Sequence, residues 1–125
     1  MKMLGINHVG VTVRNLERSV EFYRDIFGAK LIESPCDMVE DQEESKGLGV
    51  PGSVHRICLM EFGPGQYIEF MEFGDVESPH PETLPLNQLG NHHISLSIDN
   101  MAEWEKKITG MNLEFLYKPI PYVNK

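Results

Sequence analysis

At 125 residues the chain has the length of one ordinary domain, and a hydrophobic content of 41% is enough to bury a core. Eleven Lys and Arg against nineteen Asp and Glu leave a net charge of -8, which repels phosphate backbones and anionic lipid and so argues against nucleic-acid and membrane partners. No apolar run approaches the roughly 18 residues of a membrane span, and Asn7 and His8 interrupt any signal-peptide core, so a cytoplasmic protein is expected.

Ile6 to Val13 alternates, with Val9, Val11 and Val13 on one side and His8, Gly10 and Thr12 on the other, the period of a half-buried strand. Asn15 is a good helix N-cap, Glu17 places an acid in the first turn, and Leu16, Val20, Tyr23 and Phe27 recur at helical spacing until Gly28. Ala29 to Ser34 reads as a second strand ending at Pro35. Val54 to Phe62 and Gln66 to Phe73 read as a hairpin about Gly63-Pro64-Gly65. The predicted order is strand, helix, then three strands.

Between them, Asp37 to Gly52 is polar and charged before it becomes Gly-rich, and is expected to be a mobile loop, because it has little apolar surface to offset its ordering entropy. Residues 74–90, with Pro79, Pro81 and Pro85, read as an extended linker. Beyond it the opening pattern returns. Asn7-His8-Val9 through Asn15-Leu16 lies on His92-His93-Ile94 through Asn100-Met101 at a constant offset, with the alternation in phase and an Asn cap at the same place. Met101, Trp104 and Ile108 supply a helical stripe that Gly110 ends, and Asn112 to Tyr117 reads as a strand. The closing hairpin has no counterpart in the second copy. The expectation is a single α+β domain over 1–125, with a first module at 6–73 and a partial second module, strand-helix-strand only, at 91–125.

Strand parity sorts the polar residues. If the valines face the helix, His8 faces the other way, and so does His93 when Ile94, Leu96 and Ile98 face the second helix. In the last strand of the first copy, Ile68 and Phe70 suit the helix side, which leaves Tyr67, Glu69 and Met71 on the face of the histidines. An inward carboxylate must be protonated, paired or ligated. A shared metal or polar site for His8, Glu69 and His93 follows if the two copies pack about a pseudo-twofold axis. The plainer alternative is solvent-facing histidines, with Glu69 and Glu72 on one solvated sheet face. Imidazole nitrogen with carboxylate oxygen suits zinc, nickel, iron(II), cobalt or manganese.

Other features are set aside. Gly47-Leu48-Gly49-Val50-Pro51-Gly52 fits G-x-G-x-x-G, but it follows an acidic run, contains Pro51 and leads into a strand where a phosphate site needs a helix. Cys36 and Cys58 have neither the number of a disulfide scaffold nor zinc-knuckle spacing and read as idle thiols. His55 and His80 fall at loop or loop-edge positions and are assigned no role.

The segments Ile6-Asn7-His8-Val9-Gly10-Val11-Thr12-Val13, Leu16 to Gly28, Tyr67-Ile68-Glu69-Phe70-Met71-Glu72-Phe73 and His92-His93-Ile94-Ser95-Leu96-Ser97-Ile98-Asp99 together resemble the vicinal oxygen chelate superfamily, the group of glyoxalase I, methylmalonyl-CoA epimerase, extradiol dioxygenases and bleomycin or fosfomycin resistance proteins. The resemblance implies paired βαβββ modules forming a cup-shaped mixed sheet. It matches His8 to the metal-binding His of the first module, Glu69 to the acid ending that module, and His93 to the His opening the second. It further implies a divalent ion (Zn, Ni, Co, Mn or Fe), a small-molecule substrate and a homodimer. The family's remaining carboxylate, on the last strand of a second module, has no counterpart here. A glyoxalase-like or epimerase-like isomerase or lyase is the leading expectation, with the ion chelating two vicinal oxygens of a small carbonyl or thioester compound and stabilising an enediolate. Glu69 is then a ligand, and a base only where it leaves the metal. The alternatives are a metal-free antibiotic-binding protein and a truncated, inactive copy.

Overall fold

The computed structural model describes residues 1–74, 87, 89–113, 115 and 116. Among them the chain runs β1 (His8–Thr12), α1 (Leu16–Phe27), β2 (Lys30–Glu33), α2 (Gln42–Gly47), β3 (His55–Gly63), β4 (Gln66–Phe73) and α3 (Met101–Gly110). Contacts divide the chain into two compact units, Met1–Pro79 and His80–Lys125.

The first unit holds one mixed sheet in the order β1-β4-β3-β2. β1 runs parallel to β4, and β4–β3 and β3–β2 are antiparallel. The parallel pair needs a long crossover, which α1 and the two middle strands supply. α1 begins where the sequence says it should: the Asn15 side chain accepts the Arg18 N–H at 2.7 Å. It ends on Gly28 at φ 72°, whose N–H donates to the Arg24 carbonyl at 3.0 Å, while Ala29 N–H reaches the Tyr23 carbonyl at 3.2 Å. That left-handed cap is costly for any residue with a Cβ.

Leu16, Val20, Ala29, Cys58, Met60, Ile68 and Phe70 form the buried core, with Val11, Val13, Tyr23 and Phe62 packed on it. The alternation expected from the sequence thus places the helix on the Val11, Ile68 and Phe70 side. Tyr23 stacks on Phe70 with centroids 5.2 Å apart and meets Phe62 edge-on at the same distance. Cys58 is fully buried and burial pushes its thiol up to about 11, so it is an inert apolar group, whereas Cys36 is exposed and unbridged. Val9, expected on the same buried face, is 41% exposed, because the core ends one residue pair further along β1.

One ion network fastens α1 to the sheet. Glu72 Oε2 accepts the Leu16 N–H at 2.8 Å, satisfying an otherwise orphaned donor of the first helical turn, and also accepts from Arg56 Nη2 at 2.9 Å. Arg56 grips Glu17 with both terminal nitrogens, at 2.6 and 2.8 Å, and this holds the Glu17 carboxyl below the usual glutamate value.

Three expectations are corrected. Residues 37–52 are not a structureless loop: Asp41 caps α2 by accepting from the Glu43 and Glu44 N–H groups at 3.0 and 2.9 Å. Val39 pairs with His55 through reciprocal backbone bonds of 3.0 Å. Ser45, fully buried, accepts the Gly52 N–H at 3.2 Å. Short polar side chains satisfying backbone N–H groups take the place of apolar burial here. G-x-G-x-x-G starts on the last residue of α2 and leads into β3, a strand, as expected.

The second correction concerns the repeat. Asn100 caps α3 as expected, accepting the Glu103 N–H at 3.3 Å, but residues 91–100 contain no strand. β1 is a strand because it bonds to β4, and among the described residues nothing provides such a ladder for 93–98. The third concerns the strand expected over Asn112 to Tyr117. Of it, 112, 113, 115 and 116 are not in a strand, and 114 and 117 lie outside the described residues. So do His80, Pro79, Pro81, Pro85 and most of the linker.

Replacing Glu72 by Ala leaves the Leu16 N–H without its acceptor and should cost about 2 kcal/mol, read as a lower denaturant midpoint at unchanged slope. The Glu17–Arg56 pair, being exposed, acts through pH. A carboxyl whose folded value is depressed stabilises above its ordinary value of 4.5 and loses that contribution as pH falls through the folded value. The stability difference between wild type and Glu17→Gln should therefore be present at neutral pH and vanish in acid, as followed by midpoints across pH.

Candidate functional site

The sheet face turned away from α1 carries the residues singled out by parity. In the β1–β4 register His8 lies opposite Tyr67, Gly10 opposite Glu69 and Thr12 opposite Met71, and Leu59 of β3 flanks Glu69 on its other side. The carboxylate of Glu69 reaches diagonally toward β1, so that its Oε1 stands 3.7 Å from His8 Nε2. Their side chains are 39% exposed for His8 and 22% for Glu69, which leaves both reachable from solvent and Glu69 partly withdrawn from it.

A separation of 3.7 Å is too long for a hydrogen bond. It is close to the roughly 3.0–3.5 Å that separates two donors bound to one ion at about 2.1 Å each. On its far side His8 Nδ1 lies 2.8 Å from the Asn7 side-chain oxygen, a contact of the kind that orients an imidazole. The pair therefore fits a divalent cation as two of its donors. Among the described residues no group of three or more His, Cys, Asp or Glu side chains gathers about one point. His93 belongs to the second unit, where it is exposed and outside any strand.

Glu72 does not share a solvated face with Glu69. Three positions along a strand reverse the side chain, and Glu72 is on the helix side, bonded to Leu16 and Arg56. The floor beside Glu69 is instead apolar: Leu59 and Met71 are half-buried on the same face without belonging to the core. Gly10 has a reason for lacking a side chain, since a Cβ there would meet the Met71 Cε at 3.1 Å.

His55, assigned no role from the sequence, is the first residue of β3 and only 1% exposed. It pairs with Phe73 in register, with ring centroids 5.7 Å apart. Glu44 Oε2 lies 3.2 Å from its Nε2 but off the hydrogen-bond axis, and neither ring nitrogen has a hydrogen-bond partner. The approach brings α2 beside the start of β3. The signal available in the sequence was parity with Leu59, four residues along the same strand.

The family described as Glyoxalase/Bleomycin resistance protein/Dioxygenase superfamily matches residues 5–123. Mitochondrial methylmalonyl-CoA epimerase of Dictyostelium discoideum is 29% identical over 119 residues, covering 94% of this chain and 63% of that protein. A 2-epi-5-epi-valiolone epimerase from Actinomyces sp is 25% identical, over 88% of this chain and 62% of that one. Glyoxylase I 4 of Arabidopsis thaliana is 24% identical, over 93% and 56%. The chain thus spans about six tenths of the length of these relatives. Among solved structures, a glyoxalase family protein from Bacillus cereus superposes with a TM-score of 0.83 at 21% identity, over 99% of this chain and 83% of that one. A fosfomycin resistance protein from Listeria monocytogenes, complexed with Mn(II) and 1S,2S-dihydroxypropylphosphonic acid, gives a TM-score of 0.54 at 23% identity, over 98% and 79%. The last two likenesses concern the fold.

Because the atom nearest the missing Cβ is the end of a flexible thioether, Gly10→Ala should cost under about 1 kcal/mol. Its mark should be a displaced Met71: the 13C-methyl resonance of that residue is expected to shift while the denaturant midpoint hardly moves.

Proposed function

The chain belongs to the glyoxalase/bleomycin resistance protein/dioxygenase superfamily, and from that premise we propose that it is a metal-dependent isomerase or lyase acting on a small carbonyl or thioester compound. The single observation that carries the reading is the His8 Nε2 to Glu69 Oε1 pair, 3.7 Å apart on the open face of the sheet. His8 and Glu69 are the proposed donors of the first module and His93 the proposed third, with the module at 6–73 and the partial one at 91–125 forming a single domain. The relatives that support it are two epimerases and a glyoxylase I.

A divalent ion, when bound, supplies electrophilic stabilisation of negative charge on a substrate oxygen. Glu69 is held for the proton's part of the work. Its carboxylate lies beside β1, flanked in register by Gly10 and Leu59. A carboxylate engaged by a cation has little basicity left, so proton abstraction by Glu69 requires its release. Leu59 and Met71, half-buried on the same face, give the pair an apolar flank. No helix among the described residues is long and apolar enough to cross a membrane. A cytoplasmic homodimer with a small-molecule substrate, binding neither nucleic acid nor membrane, completes the proposal.

Metal content by elemental analysis, read beside exchange of the proton alpha to the carbonyl of 2-hydroxy and 2-keto thioesters in D2O by NMR, tests it. Wild type should retain close to one equivalent of metal per chain and exchange that proton. His8→Ala and Glu69→Ala should each lose metal affinity by more than the roughly 10–100-fold that follows loss of a group hydrogen-bonded to a ligand, and exchange with it. Absence of metal under every loading condition defeats the reading.

A further inference from the structure

We propose that Asn7 is a positioning residue: its side-chain carbonyl sets the tautomer of His8, keeping the proton on Nδ1 and turning the bare lone pair of Nε2 toward Glu69. This rests on the metal-donor reading of His8 and Glu69.

A neutral imidazole carries one N–H and one lone pair, and which nitrogen holds the proton is set by what each nitrogen meets. Nδ1 meets the Asn7 Oδ1 at 2.8 Å. With Oδ1 turned to the ring, the amide accepts and the proton sits on Nδ1. The competing pull is from Glu69, whose carboxylate would favour the proton on Nε2, but at 3.7 Å it is beyond hydrogen-bond range. With the tautomer reversed, the Asn7 amide would have to flip and donate its NH2 to the Nδ1 lone pair, and Nε2 would present a hydrogen where a cation needs electrons.

The chain makes this device cheap. Asn7 sits one residue before β1, outside the ladder, so its side chain answers to no register requirement. β1 is the end strand of the order β1-β4-β3-β2, and its ring is held from its own chain neighbour. A cation on Nε2 makes the Nδ1 proton more acidic and strengthens the bond to Asn7, and the same linkage lets Asn7 strengthen the grip on the cation. In the second copy His92 holds the corresponding place before His93, so the carbonyl is particular to the first copy.

The test uses the full chain with 15N-labelled histidine and two-bond proton–nitrogen correlation at alkaline pH without metal, the His8 signals being assigned by their loss in His8→Gln. Wild type should show the Nδ1–H pattern for His8, and Asn7→Leu, which keeps bulk and removes the acceptor, should move it toward Nε2–H. Zn2+ affinity by competition with a chromophoric chelator should fall about 10–100-fold in Asn7→Leu and return to within a few-fold of wild type in Asn7→Asp. An Nε2–H pattern in wild type overturns the proposal, as does an Asn7→Leu protein unchanged in tautomer and affinity. If the wild-type tautomer is Nδ1–H and no variant or wild type takes up Zn2+, the tautomer assignment stands and the metal-dependent function fails.

Discussion

The parallel pairing of β1 with β4 is the constraint on which the rest depends. These strands lie at the two ends of the first unit's sequence, and nothing local brings them together. Their ladder exists because α1 and the β2–β3 excursion return the chain to its starting edge with Val11, Ile68 and Phe70 all facing one core. Once that register is set, side chains alternate without further choice. Glu69 falls opposite Gly10, two residues along β1 from His8, and an imidazole and a carboxylate 61 residues apart in the chain become neighbours.

The same alternation gives two glutamates of β4 opposite duties. Glu72 turns to the helix side, where it accepts from Leu16 and Arg56 and holds the first turn of α1 in place. Glu69 turns to the open face, where among the described residues it approaches His8 at 3.7 Å. Two carboxylates of one strand thus take opposite faces because they are an odd number of residues apart. Arg56, one position after His55, follows the rule as well: it grips Glu17 and Glu72 on the helix side, while His55 enters the interior of the other face.

Superfamily folds host several chemistries on one scaffold, so activity has to be read from side chains and not from strand order. Here the half-buried Leu59 and Met71 adjoin the His8–Glu69 pair on one face of the first unit, and Glu44 of α2 approaches His55 at the end of that sheet.

Periodicity alone was enough for β1, α1, β2, β3 and β4 in their order, the Asn15 and Gly28 caps, the core side of β4 and the shared face of His8 and Glu69, because each follows from local repeat and from the chemistry of caps. It was also enough for the Asn100 cap of α3. What it misjudged depends on partners far away in the chain. Residues 37–52 looked too polar to order, yet Ser45, Asp41 and the Val39–His55 bridge satisfy backbone groups there. His55 looked like a loop residue because its burial comes from Phe73 and α2, which no neighbouring position announces. Residues 93–98 alternate as well as β1 does and yet form no strand among the described residues, since alternation records which face a side chain prefers while a ladder needs a second chain segment to bond. Composition and spacing determined the pieces and their faces; only the tertiary structure decided which edges meet, because hydrogen-bonded pairing is a property of two segments and is written in neither one.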